Sequence, residues 1–496
     1  MKPVPTRKPA SSANIGDDLA FVSIEELSHL LARREISPVE LVALFLRRIE
    51  QHNPALNAYL TVTRARALDD AKISEKLLLR GRSRGPLEGI PIAIKDNLYT
   101  QSVRTTAGSK FLGDFIPNYD ATAVARLRNA GAILLGKTNL HEFAYGITTE
   151  NPHYGATHNP WDLSCMPGGS SGGSAAAISA GLCVASIGTD TGGSIRIPAS
   201  LCGIFGIKPT FGRVSCYGAV PLAPSLDHVG PLARTADDAA LLLATIAGAD
   251  PQDNSTLTQP RLKPFLNARA VSSRLRPRYT KKRPLRLGWP KDYFFDAIDS
   301  EVASAVDAAA RSFEKLGAVI EEVCLPHVHD GDAPSTTIAL AEATHVHEAA
   351  GWFPAHAAEY GDDVRKRLGM GRDIRAADYL AALAMRKCVR TDFEGAFERV
   401  DAILAPATPI AAPRIGENSV MIGSSEETIR SALIRTNRPA NLTGLPALSL
   451  PCGWTKSGLP VGLQLIGREW GEESLLTIAH FFEQAHLEFR RRPPGF

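Results

Sequence analysis

A chain of 496 residues with 44% hydrophobic and 22% charged side chains has the balance of a folded globular protein, and a chain this long buries about three quarters of its unfolded surface. That excludes a mainly disordered, collagen-like or coiled-coil chain. Lys and Arg number 55 against 52 Asp and Glu, a formal net charge of +3, so no nucleic-acid footprint is expected.

Residues 1–18 are expected as a flexible tail. Met1–Ala10 is basic and contains proline, with no apolar stretch behind it, which reads as neither signal peptide nor anchor and gives a cytoplasmic expectation. Ser23 followed by Glu26 predicts a capping box and a helix to about Arg34. Ser37-Pro38-Val39-Glu40 repeats the signal, and Val39, Val42, Leu46 and Ile49 supply one apolar face. From residue 86 short apolar runs alternate with helical stretches. Gly89–Ile94 is predicted as a strand, Ala121–Gly131 as a helix and Ala132–Gly136 as a strand. Ala175–Gly181 follows as a helix of small residues and Cys183–Ile187 as a strand.

Residues 250–284, polar and basic, read as a surface excursion rather than a nucleic-acid patch. Beyond it come a strand (Leu285–Trp289), a helix (Ser300–Leu316) and a strand (Val319–Leu325), then apolar strands near Ala402–Leu404 and Ala447–Leu450. Continuously apolar strands alternating with helices argue for an α/β fold with a sheet covered on both faces, in a single domain over residues 19–496. The longest run free of charge and strongly polar groups, around Ala175–Gly188, is shorter than the roughly 18 residues a membrane span needs. Seven cysteines without paired spacing suggest reduced, mostly buried thiols.

Three segments concentrate unusual chemistry. Lys95 directly follows GIPIAI; burial at a strand end would lower its pKa and let it accept a proton, although pairing with Asp96 is the plainer reading. Pro167–Ser174 packs four glycines around three serines, which implies unusual backbone angles and close approach, or else a flexible linker. Gly188–Arg196 (GTDTGGSIR) can turn successive amides inward as a nest for the oxyanion that forms if Ser194 attacks a carbonyl; an ordinary strand-to-helix turn is the alternative. Ser170 and Ser171 each centre a formal G-x-S-x-G, but a nucleophile elbow needs a preceding strand and His158–Asp162 is a turn-rich loop. His327-Val328-His329 and His345-Val346-His347 could suggest a metal; a loop and a helix-like stretch make solvated or core histidines the better reading.

The runs GGSSGGSAAA (168–177), GTDTGGSIRIPASLCGIFGIKPTFGRVS (188–215) and GIPIAIKDN (89–97) closely resemble the amidase signature family, and the likeness extends to PVGLQLIG at 460–467. The resemblance implies a large twisted mixed sheet with helices on both faces. It also implies a Ser-Ser-Lys triad, in which Ser194 is the nucleophile, Ser170 a bridging serine held by a cis peptide bond, and Lys95 the terminal base. Backbone amides of Thr191, Gly192, Gly193 and Ser194 would form the oxyanion hole, with Ser171, Asp190 and Arg196 in support. The implied activity is hydrolysis of a small-molecule amide, anilide, carbamate or ester, with no metal or organic cofactor; no membrane is expected, and a homodimer is a fair prior for the assembly. Two other readings follow from the same likeness: the glutaminase component of a tRNA-dependent amidotransferase (its A chain), working with partner subunits, and a non-catalytic binding protein. Phe143 and Tyr145 lie near the implied site with no contact assigned.

Overall fold

The computed structural model describes residues 16–261, 279–280 and 282–496. Ser37 Oγ accepts a hydrogen bond from the Glu40 amide while the Glu40 carboxylate accepts one from the Ser37 amide, and the capped helix runs Pro38–Leu56. At Ser23 only the serine half of the box forms, opening Ile24–Ala32. The helix ends before Arg34, whose φ of 61° is left-handed. The expected tail lies outside the described residues up to 15. Asp17 and Asp18, placed in that tail by the sequence reading, instead open a 3-10 helix (Asp17–Phe21). Asp17 pairs with Arg47 and Arg48, so the docked part of the chain starts earlier.

Strands follow as β1 (Tyr59–Val62), β2 (Pro91–Lys95), β3 (Ile133–Thr138), β4 (Glu150–Asn151), β5 (Gly155–Ala156), β6 (Ala185–Asp190), β7 (Phe205–Lys208) and β8 (His228–Ala233). The second half adds β9 (Arg286–Trp289), β10 (Val319–Glu322), β11 (Ala402–Pro406), β12 (Ser419–Ile422), β13 (Ser425–Thr428), β14 (Ala447–Trp454) and β15 (Pro460–Gly467). Eleven of them form one sheet in the order β1-β3-β2-β6-β8-β7-β14-β15-β11-β9-β10. It is mixed: β2 runs parallel to β3 and β6, and β9 to β10 and β11, whereas β6–β8–β7–β14–β15 is antiparallel throughout.

Every residue of β2, β3, β6 and β8 is buried. A strand buried at successive positions must be covered on both faces, since its side chains alternate. Helices supply that cover, and the fold is α/β. The helix Gly172–Ser179 is buried at all eight positions; apart from Ile178 it is built of Gly, Ala and Ser, small enough to lie deep beside β6. In the expected surface excursion, Asp250 is tied down by Thr122 and Ser215 at 2.6 Å each. Residues 262–278 and 281, with Arg274, Arg276, Arg278 and Lys281 of this basic stretch, lie outside the described residues. No helix among the described residues is long and apolar enough to cross a membrane.

Candidate active site

Neighbouring strands β2 and β6 bring the three segments together. Lys95 ends β2, and Thr189 lies one residue from the end of β6. The Lys95 ammonium position is fully buried, with Nζ 2.7 Å from Ser170 Oγ and 2.7 Å from Thr189 Oγ1. Asn97 Nδ2 donates to the same Thr189 oxygen at 3.1 Å. Burial pushes Lys95 down to about 7, against the weaker pull of the Asp190 and Asp227 carboxylates. The plainer pairing with Asp96 does not occur. Asp96 takes hydrogen bonds from Thr106 and lies 3.3 Å from Lys137 Nζ.

Residues 167–174 are buried, which removes the linker alternative. A Cβ on Gly173 would stand 2.5 Å from Asn139 O, and the Gly169–Ser170 peptide is cis. No strand precedes Ser170 or Ser171; Thr149 Oγ1 holds the approach by donating to Gly168 O at 2.8 Å. Ser171 N donates to Ser194 O at 3.2 Å and Ser171 Oγ to Thr189 O at 3.2 Å, so this serine ties the glycine loop to the second loop.

The turn after β6 closes around its own carboxylate. Asp190 accepts from the Gly193 amide (2.8 Å), the Ile195 amide (3.1 Å), Arg196 Nε and Nη2 (3.1 and 3.0 Å) and Asn441 Nδ2 (2.8 Å). Burial opposes ionisation of Asp190, but the Arg196 guanidinium beside it holds the carboxyl well below the usual carboxylate range. Arg196, itself fully buried, is completed by Asn441 Oδ1, Gln464 Oε1 and Asn437 O. The Gly193 N–H therefore faces Asp190. This corrects the expectation that Gly193 offers its amide to substrate: Thr191, Gly192 and Ser194 line the neighbouring cavity, and Gly193 does not. Gly193 is nonetheless required as glycine. Its φ is +123°, and a Cβ would lie 2.7 Å from both Asn437 Cβ and Ile197 Cδ1.

Thr191 Oγ1 donates to Asp227 Oδ1 at 2.6 Å, and the Leu222 and Ala223 amides donate to Asp227 Oδ2. Burial pushes the Asp227 carboxyl up to about 6 despite these donors. A cavity of about 330 Å³ opens in front of Ser194, with Leu222, Leu226, Ile434 and Leu442 among its apolar walls. Tyr145 also lines it. Phe143 does not; it packs behind among Phe111, His347, Trp352 and Tyr360.

Sequence reasoning missed Thr189, Asn97, Asp227, Asn437, Asn441 and Gln464. Thr189 stood inside the glycine-rich motif, two residues beyond the strand predicted over Cys183–Ile187, and that position was the available signal. The last three come from distant segments that only the sheet order brings close. Both histidine pairs have other roles: His327 and His329 face Asp392 and Asp296, His345 is exposed, and His347 Nδ1 meets Tyr360 Oη at 2.7 Å. Among the described residues no group of three or more His, Cys, Asp or Glu is placed to hold a metal ion. All seven cysteines are unpaired.

Comparison with known proteins gives a match to the family Amidase over residues 40–476. The A chain of the glutamyl-tRNA(Gln) amidotransferase of Moorella thermoacetica is 43% identical over 497 residues, covering 96% of this chain and 99% of that protein. Seven further relatives of the same name are 40–42% identical. Among solved structures, a chain of a vestigial protein complex that reveals the evolutionary origins of an s-triazine catabolic enzyme is 35% identical with a TM-score of 0.85, covering 94% of this chain and 98% of its own. The peptide amidase of Stenotrophomonas maltophilia is 31% identical with a TM-score of 0.83, covering 97% and 100%.

Proposed function

The chain belongs to the amidase family, hydrolases of carbon–nitrogen bonds other than peptide bonds, and from that premise we propose that it works through an acyl-enzyme on Ser194. The observation that carries this reading is the buried Lys95 Nζ, lowered to about 7, at 2.7 Å from Ser170 Oγ. A serine hydroxyl is a weak nucleophile until a base takes its proton. Neutral Lys95 draws that proton through Ser170 as Ser194 attacks the amide carbonyl. The resulting ammonium returns the proton to the leaving nitrogen by the same path. Amides of Thr191, Gly192 and Ser194 stabilise the oxyanion, while Asp190 and Arg196 hold the turn in shape and Ser171 braces it. Water then releases the acid and regenerates Ser194.

Mass-spectrometric mapping of a fluorophosphonate on the native protein tests this. Modification at Ser194, and loss of turnover in Ser194→Ala, is the expected result. Modification at Ser170 or Ser171 instead would restore the nucleophile-elbow reading, and absence of any acylation would favour a non-catalytic binding protein.

A second setting uses the same chemistry, and the sequence relatives weigh toward it: all eight described above are A chains of the amidotransferase. Glutamine would then be the ammonia source for partner subunits working on a charged tRNA. Copurification with further subunits and glutaminase activity would support that setting. A free enzyme active on other amides and inert to glutamine would exclude it. In either setting the unpaired thiols suit a cytoplasmic location, and a homodimer belongs to the free-enzyme setting.

A further inference from the structure

The cavity in front of Ser194 is lined by four cationic side chains, Lys366, Arg367, Arg430 and Arg438, against one carboxylate, Asp363. That carboxylate is already engaged, by Arg367 Nη2 at 2.6 Å and His141 Nε2 at 2.9 Å. Arg438 is held loosely, Nη1 donating to the Asp332 backbone carbonyl at 3.5 Å and lying 3.9 Å from the Asp332 carboxylate, which also receives the Tyr293 hydroxyl. Arg430 is half-buried, and its guanidinium makes no hydrogen bond or ion pair among the described residues. Burial and the neighbouring Arg367 and Arg438 push it down to about 9, which still leaves it charged at neutral pH. A second unsatisfied group lies beside them. Tyr145 is 3% exposed, its buried hydroxyl has no partner, and the Arg367 guanidinium stacks 4.8 Å from its ring centroid. An unpaired guanidinium and an orphaned hydroxyl in one cavity are costly unless a ligand completes them.

We propose that this cavity takes an amide bearing a carboxylate and no ammonium, a monoamide of a short aliphatic dicarboxylic acid, with Arg430, Arg438 and Tyr145 receiving the carboxylate. The apolar walls accommodate the methylene spacer between that group and the scissile carbonyl at Ser194. A free ammonium would meet the guanidiniums and no uncommitted carboxylate among the lining residues, which selects against an amino acid such as glutamine. With glutaramate the balance is simple: water adds across the C–N bond, giving glutarate and ammonia. The inference rests on Ser194 being the acylated serine.

Protection of Ser194 from fluorophosphonate labelling tests it without requiring turnover. Glutarate is expected to protect at concentrations about tenfold or more below those needed for valerate or glutamine, the scale of a desolvated charge pair. In Arg430→Met the glutarate-to-valerate ratio should collapse toward one, and Arg430→Lys should recover part of it. If Arg430→Met fails to fold, Arg438→Met provides the same ratio. Equal protection by valerate, stronger protection by glutamine, or protection by inorganic phosphate matching glutarate would overturn the proposal while leaving the Ser194 assignment standing. Absence of labelling at Ser194 in the unprotected protein would instead remove the underlying reading, and this one with it.

Discussion

The proton state of Lys95 should set the pH dependence of acylation. Its Nζ is fully buried and touches only hydroxyl and carbonyl oxygens, those of Ser170 and Thr189. Desolvation brings its pKa to about 7. Only the neutral amine can accept the proton, so the rate of Ser194 labelling should rise with pH through this value. For one group at about 7, the active fraction is about a tenth at pH 6 and about nine tenths at pH 8, so the labelling rate changes roughly tenfold between them. The assay is the second-order rate of fluorophosphonate labelling, measured across that range with a probe that does not itself titrate. Asp227 is the competing explanation, since its carboxyl is pushed up to about 6 and it hydrogen-bonds Thr191. The two separate in Asp227→Asn. The lost carboxylate no longer favours the ammonium, so a Lys95 limb moves to lower pH, whereas a limb owned by Asp227 disappears. A labelling rate that is flat from about pH 5.5 to 8.5 would refute the role given to Lys95.

Lys95→Met should fold and lose labelling by at least about a hundredfold, read by circular dichroism alongside the labelling rate. Ser170→Ala should lose labelling on the same scale, because Lys95 then has no relay; a wild-type rate would show that the lysine acts directly. Arg196→Met strands the fully buried Asp190 carboxylate and should cost about 3–5 kcal/mol in urea unfolding. Gly193→Ala forces a Cβ to within 2.7 Å of Asn437 and Ile197 at a φ of +123°, and should lower stability by about 1–3 kcal/mol. An unchanged midpoint would mean the turn relaxes freely.

What the sequence revealed depended on the length and texture of each signal. The apolar runs that became β2, β3 and β6 were legible because strands buried on both faces need uninterrupted hydrophobicity. β8 was not, since Gly230 and Pro231 lie inside HVGPLA and argue against a central strand, yet it pairs with β6 and β7. β15 was not predicted either: Gly462 and Gln464 interrupt its apolar run, and Gln464 serves Arg196 rather than a hydrophobic core. At the site, Lys95, Ser170 and Ser194 were legible from motifs, and Asp190 with Arg196 as their support. The direction of the Gly193 amide was not, because a string of glycines does not say which N–H the neighbouring carboxylate captures. The cationic cavity was invisible too. Arg367, Arg430 and Arg438 are ordinary surface-type residues on helices, and only the placing of those helices over Ser194 makes them one group.

The difference between Lys95 and Lys137 shows how the fold assigns two buried lysines to different work. Lys95 ends β2, Lys137 is the last residue but one of the adjacent parallel β3, and both are fully buried. Successive residues of a strand face opposite ways, so Lys95 turns to Ser170 while Asp96 turns to Lys137, 3.3 Å away. Burial lowers both, but the Asp96 carboxylate leaves Lys137 at about 8 against about 7 for Lys95. Lys137 thus stays mainly an ammonium at neutral pH, donating to Leu98 O and Thr105 Oγ1, while Lys95 is poised to titrate. Asp96→Asn should therefore destabilise the fold by drawing Lys137 below about 8. At Lys137 the folded variant then binds fewer protons than the unfolded chain over a wider window, so the Lys137 contribution to stability climbs with pH where that of the wild type is still flat, while the contribution of Lys95 is common to both and cancels in the gap. The gap in unfolding free energy should narrow by up to about 1.4 kcal/mol per pH unit as pH rises toward 8, and be constant above. Urea titrations at successive pH values measure it, and the labelling limb near 7 should persist because it belongs to the other lysine. A gap that does not change below pH 8 would mean that Asp96 acts through its Thr106 contacts alone and leaves Lys137 untouched.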